Sequence, residues 1–261
     1  MRPLILITND DGIHSPGLLA VVEAVYKLGD VLVAAPHVQQ TGMGRAFPKT
    51  SDLGIIEEVT LQVNGKNIIG YAVHGSPAYA VAHGVLELAD RKPDLCISGI
   101  NYGENMGMIP TCSGTVGATF EAATHQIPGI AVSIQMDIKY QRNNTFKEVH
   151  WDDAKRIVQY WARKTLEQGL PKDVDFLNIN IPIKTDDVTQ YRITRTSRQN
   201  YFELQKPEQR EFKTPYVLKT KLVVHQESLE KDSDIYAVYN DKITSVTPMS
   251  CDMTAKIEEF M

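Results

Sequence analysis

The sequence is poor in cysteine, and the little it has follows no pattern. Cys96, Cys112 and Cys251 form an odd, scattered set with no CxxC and no Cys/His spacing. That excludes a sulfur-rich zinc site read from spacing and leaves reduced thiols as the expectation. Long apolar runs are missing too. No stretch approaches the ~18–20 residues a membrane helix needs, and the chain enters Leu4-Ile5-Leu6-Ile7 with no basic-then-apolar leader. A cytoplasmic protein with no membrane partner is expected. Positive charge is in deficit: 27 Lys and Arg stand against 32 Asp and Glu, a formal net charge of −5. An acidic chain has no general attraction for a phosphate backbone, so a nucleic acid polymer is not the expected partner. A small anion can still bind at a locally positive point. Internal repeats and low-complexity linkers are also absent, and residues 1–261 read as a single domain.

What the chain does have is an alternation of buried strands and capped helices. Residues 3–8 (PLILIT) are a continuous apolar run ending in Asn9-Asp10-Asp11-Gly12, the pattern of a strand buried on both faces. Ser15-Pro16 then starts a helix: Ser caps it, and Pro at the first position loses nothing by lacking an N–H. Residues 31–35 give a second buried strand, so the chain opens β-α-β with parallel pairing. Residues 36–58 read as irregular. Residues 59–63 and 67–73 read as strands joined through Asn64-Gly65, a hairpin turn signal. Ser76-Pro77 repeats the cap-plus-proline device. Further strands are expected at 94–98, 129–134 and 175–181, and helices from Ser113 and from Asp152. A glycine-rich loop is expected over 99–112. The sum is a three-layer α/β fold.

Beyond residue 185 the character changes. Residues 190–226 hold eight Lys or Arg against three Glu, few aliphatic side chains, and Tyr191, Tyr201, Phe202, Phe212 and Tyr216 at intervals. This segment is expected to be an extended arm that packs elsewhere and helps make a homodimer or homotetramer.

In an open parallel sheet, ligands sit beyond the carboxyl ends of the strands. Three polar clusters follow three buried strands: Asn9-Asp10-Asp11-Gly12, Gln39-Gln40-Thr41-Gly42 and Ser98-Gly99-Ile100-Asn101. Adjacent unpaired carboxylates repel each other, and a divalent cation resolves that conflict. An all-oxygen donor set suits Mg²⁺, Mn²⁺ or Ca²⁺ rather than zinc. The bland alternative for Asp10-Asp11 is a solvated turn with Asp capping the next helix. A fourth cluster, Thr111-Cys112-Ser113-Gly114-Thr115-Val116-Gly117, sets glycines and hydroxyls at a helix start, where free N–H groups and the positive helix end make a phosphate site. Its alternative is an ordinary Ser cap. It is neither a P-loop, since no Lys follows the Gly, nor a dinucleotide fingerprint. Of seven single histidines, His14 lies close to the Asp pair and His37 on the Thr41 loop. Either is able to titrate near neutrality and assist proton transfer, though surface or core histidines are the commoner case.

Taken together, ILITNDDGIHSPG (residues 5–17), VLVAAPHVQQTGMG (31–44), AVHGSPAYAV (72–81), PDLCISGINYGENMG (93–107) and CSGTVGATFEAATHQIPGIAVS (112–133) resemble the survival protein E family (SurE) of acid-type nucleotidases. YAVYNDKITSVTP (236–248) is similar to that family's closing helix and strand. The resemblance implies a Rossmann-like αβα sheet with a C-terminal β arm. It implies one divalent ion, Mg²⁺ or Mn²⁺, held by Asp10, Asp11, Thr41 and Asn101, with Asp10, Asp11 and Asn101 catalytic. It implies substrate phosphate near Asn9, Ser113, Gly114 and Thr115. The activity implied is hydrolysis of nucleoside monophosphates by metal-activated water, as a 5′-nucleotidase, with 3′-nucleotidase and exopolyphosphatase activity in view. Thr41 stands where the family usually has Ser, and His37 and His74 where it often has Asp, which bears on substrate preference. Two rivals are a non-catalytic nucleotide-binding stress-response module and an aspartyl-phosphate phosphatase of the haloacid dehalogenase type. The latter wants Asp-x-Asp after strand one, and here the acids are adjacent.

Overall fold

The computed structural model describes residues 1–141, 146–183 and 190–254; the rest of the 1–261 domain reading lies outside the described residues. The first strand shows how the fold is laid down. In β1 (Leu4–Thr8) every residue is buried. Period-2 geometry still divides them. Ile5 and Ile7 join a cluster with Leu18, Val21 and Val25, whereas Leu6 joins a different one with Val81, Ala118 and Ala122. The continuous apolar run is two alternating faces, each covered by its own helices.

Those helices are α1 (Pro16–Val25), α2 (Pro77–His83), α3 (Gly114–Thr124) and α4 (Asp152–Gln168). α1 and α4 supply the first cluster, with Ile157, Val158 and Trp161 from α4. α2 and α3 supply the second, making the three layers. Ser15, Ser76 and Ser113 cap α1, α2 and α3, each accepting a backbone N–H. α2 runs on into a wide turn over Gly84–Leu88.

The remaining sheet strands are β2 (Asp30–Pro36), β3 (Ile56–Val63), β4 (Lys66–Val73), β5 (Leu95–Tyr102), β6 (Gly129–Ile134), β7 (Phe176–Ile181), β8 (Tyr191–Ile193) and, last in the chain, β11 (Thr244–Met249); the short strands β9 (Phe202–Leu204) and β10 (Thr220–Leu222) pair with each other outside it. The nine-stranded order is β3-β4-β2-β1-β5-β6-β7-β11-β8. β4 through β7 in this order are parallel. β3 is antiparallel to β4, and β11 to β7. Connections leave β1 toward β2 on one side and β5 toward β6 on the other, so the switch point lies between β1 and β5. A cleft opens beyond the carboxyl ends of such a pair.

Two expectations change. The hairpin forms at Asn64-Gly65, both with positive φ (50° and 73°), but β3 begins at Ile56 rather than 59. The loop expected from residue 99 begins only after Tyr102. Gly99 to Tyr102 stay in β5 because β6 extends beside them, with a register shift between Ser98 and Asn101. Asn101 thus stands on a strand at a bulge, a device that re-aims a side chain.

The segment 190–226 divides. Tyr191–Ile193 pairs with β11 at the sheet edge. Tyr201 is fully buried with Met106, Leu229, Ile235 and Val238 in a small separate core. Residues between β9 and β10 lie open, with Phe212 90% and Val217 85% exposed.

Candidate active site

β1 delivers Asp10 and Asp11 to the switch point, and both are almost entirely buried, 3% exposed each. Gly12 follows at φ +97°, a left-handed conformation natural to glycine, and turns the chain away. Asp10 lies against the start of α3. The Thr115 hydroxyl donates to Asp10 Oδ1 at 2.7 Å, and the Thr115 N–H adds to it. α3 comes so close that a Cβ on Gly114 would stand 2.7 Å from Asp10 Cβ. Asp11 accepts from the Tyr102 N–H at 3.0 Å on one oxygen and from Gln39 Nε2 at 3.0 Å on the other.

Burial pushes both carboxyls up, Asp10 to about 6, with the Thr115 bonds pulling back. Asp11 rises to about 7, from burial first and the charge of Asp10 second. Among the described residues no Lys or Arg pairs with either, although both are buried, as is Glu104 on the cavity wall. Two buried, uncompensated carboxylates are costly unless a cation joins them.

A cavity of about 310 Å³ opens above Asp10, walled by Thr41, Asn101, Asn105 and Ser113, with Phe202 and Leu204 from β9 across it. The Gln40 N–H bonds the Asp10 carbonyl at 2.7 Å and carries the Thr41 loop to this wall. Asn101 Nδ2 donates to the Gly103 carbonyl at 2.5 Å, which leaves Oδ1 as its free acceptor. Carboxylate, amide and hydroxyl oxygens fit a hard divalent ion such as Mg²⁺ or Mn²⁺. Asp11 faces an adjoining hollow of about 200 Å³ with His14, His37 and Gln39. Asn9 is fully buried, and its Nδ2 holds the Gly12 carbonyl at 3.0 Å, a bond that shapes the turn. Ser113 Oγ caps α3 at the Val116 N–H. The Gly114 N–H at the first helical position has no partner among the described residues.

The family model described as "Survival protein SurE" matches residues 5–203. The chain belongs to the SurE family. It is similar to the 5′-nucleotidase SurE of Methanosarcina acetivorans, 38% identical over 264 residues covering 99% of this chain and 96% of the relative. It is 43% identical over 203 residues to the 5′-nucleotidase SurE of Methanothermobacter thermautotrophicus, 76% of this chain and 74% of that one. The crystal structure of the SurE protein from Aquifex aeolicus superposes with a TM-score of 0.73 at 28% identity, covering 97% and 95% of the two chains.

This SurE chain also carries site residues that the sequence reading passed over. Asn105 Nδ2 donates to Ser133 Oγ at 2.9 Å and lies 3.4 Å from Thr115 Oγ1. Its backbone is gripped by Asn180 and Asn178 of β7, through the N–H and the carbonyl. The signal was present: Asn178 and Asn180 are polar residues inside a strand buried on both faces, where polar groups need partners. Gln39 was grouped with Thr41, but its bond to Asp11 depends on the loop's path.

Proposed function

We propose that the chain is a divalent-metal-dependent 5′-nucleotidase that hydrolyses the phosphate monoester of nucleoside monophosphates. The observation that carries this reading is that Asp10, one of two adjacent buried carboxylates with no cationic partner among the described residues, shares a cavity with the N-terminus of α3, while Asp11 borders the adjoining hollow. Carboxylates alone repel a phosphate, and a helix start alone attracts one. A cation held by the carboxylates would make them and the helix start a single site for a phosphate ester. Asp10, Asp11, Thr41 and Asn101 would hold one Mg²⁺ or Mn²⁺, which when bound supplies positive charge for the phosphoryl oxygens and acidity for a water.

The chain's own groups prepare that site. Thr115 fixes the rotamer of Asp10, and Tyr102 and Gln39 fix both oxygens of Asp11, so neither acid reorganises as the ester binds. The Gly114 N–H and the Ser113 end of α3 receive the phosphoryl oxygens. Asn105, braced by β7, holds the Thr115 side of the cavity. Asn9 acts here by shaping the turn beneath the acids. In the overall reaction water adds at phosphorus, the P–O ester bond breaks, and the nucleoside leaves with a proton on its hydroxyl. Phe202 and Leu204 offer an apolar wall for the nucleoside. The relatives named 5′-nucleotidase support the same substrate class. Three unpaired cysteines support a cytoplasmic setting, and among the described residues no helix is long and apolar enough to cross a membrane.

The test is phosphate release from AMP and GMP. Release is expected with Mn²⁺ or Mg²⁺, should stop with excess EDTA and return on adding metal. Binding of AMP without release under every metal would sink the enzymatic reading.

A further inference from the structure

A second group of ligand-type side chains lies at the other edge of the same sheet end. β2 and β4 are parallel, with Pro36 opposite Val73. The next residues, His37 and His74, therefore stand side by side, and their rings stack with centroids 4.3 Å apart and planes 16° apart. β3 brings Glu57 alongside, its Oε1 2.8 Å from His74 Nε2. One ligand atom from each of His37, Glu57 and His74 lies within 4.8 Å of the others. The opposite ring nitrogen, His74 Nδ1, is 2.9 Å from Asp52 Oδ2.

We propose that His37, Glu57 and His74 form a second metal site, distinct from the oxygen site at Asp10 and Asp11, that takes Zn²⁺ or another imidazole-preferring divalent transition ion. Two imidazoles and a carboxylate are the donor set such ions select. Asp52 completes it: a carboxylate on the far nitrogen of a ligating histidine fixes its tautomer and aims its lone pair at the metal. A plain ion pair would use His74 and its two acids but gives the His37 ring no hydrogen bond among the described residues; a metal uses both rings. Ligands at about 2.0–2.1 Å from one ion require the donors to readjust, the His74 and Glu57 atoms now 2.8 Å apart opening to admit it and the His37 ring turning out of its stack, and the exposed His37 and Glu57 side chains have room to do so. A hollow of about 160 Å³ lined by His37, Asp52, His74 and Thr50 leaves space for a water as a fourth ligand.

The site closes a loop. His37 opens residues 37–55, and Asp52 and Glu57 lie at their far end. Between them sit Gln39, on Asp11, and Thr41, on the cavity wall. A bound ion ties both ends of the segment that completes the active cleft.

Co²⁺ is the probe, followed by its visible absorption and by equilibrium dialysis of the full chain with excess Mg²⁺. The Asp10→Asn chain is expected still to take up one Co²⁺. In that background His37→Gln and His74→Gln should each weaken uptake at least roughly tenfold, and Asp52→Asn by about 10- to 100-fold. His37→Gln leaves both bonds of His74 in place, so it tests the site without loosening the loop. Co²⁺ affinity unchanged by both histidine variants, or uptake that disappears with Asp10→Asn, overturns the proposal.

Discussion

At the scale of single residues, the active cleft is a problem of charge and space solved by neighbours that carry no charge. Asp10 and Asp11 are held by a threonine, a glutamine and a backbone N–H, and the proposed cation would complete the balance. Asp10→Asn and Asp11→Asn are each expected to reduce phosphate release by at least roughly a thousandfold, the order of a lost electrostatic stabiliser. Metal-free, each variant should melt no lower than the parent, because the mutual repulsion is gone; a large loss of melting temperature would remove the charge argument. Gly114 is a steric counterpart. A methyl there meets Asp10, so Gly114→Ala should destabilise by about 1–3 kcal/mol, the usual cost of overpacking, and depress kcat more than it raises KM. Circular dichroism melts beside steady-state kinetics separate the two effects.

At the scale of elements, the segment after β7 serves the cleft in two ways. Asp234 accepts three backbone N–H groups, from Gly107, Ser197 and Ile235, tying the loop after β5 to the residues that follow β8. Burial lifts its carboxyl to about 6 against those bonds. Asp234→Ala orphans three buried donors and is expected to cost about 2–4 kcal/mol, read as a lower urea midpoint. β9 brings Phe202 to the cavity wall. Phe202→Ala should raise KM for AMP about tenfold, equivalent to ~1.4 kcal/mol, and leave a small aryl phosphate little changed; equal effects on both would reject a nucleoside-facing role.

At the scale of the molecule, the open stretch between β9 and β10 is the part a monomer accounts for least. Phe212, Val217 and Leu218 are exposed there, beside an excess of lysine and arginine on a chain that is acidic elsewhere. Ordering such a stretch costs about 1–2 kcal/mol per residue in chain entropy, and docking on a second copy offsets that. A homodimer or homotetramer is expected by light scattering, with dissociation when residues 206–218 are replaced by a short glycine-serine turn. A parent mass near 29.2 kDa rules out the assembly, and an unchanged assembly in the folded replacement rules out the segment.

Much of this was legible in the sequence because the information is local. Apolar runs, Ser-Pro starts and Asn-Gly dictate strand, helix and turn through backbone sterics and capping, which act over a few residues. The parallel order of β1, β2 and β5 then carries Asp10, Thr41 and Asn101 to one edge of the sheet. Other features were decided only when distant segments met. β5 outlasts its expected end because β6 pairs beside it. Asn105 joins the site because Asn178 and Asn180, more than seventy residues away, hold its backbone. Tyr201 lies in a core although the four residues before it, Ser197 to Asn200, are polar. His37, Glu57 and His74 converge because three strands run side by side, a proximity that no spacing along the chain records. Short-range sterics are written residue by residue, but which side chains share a volume is set by strand pairing and by the burial it enforces.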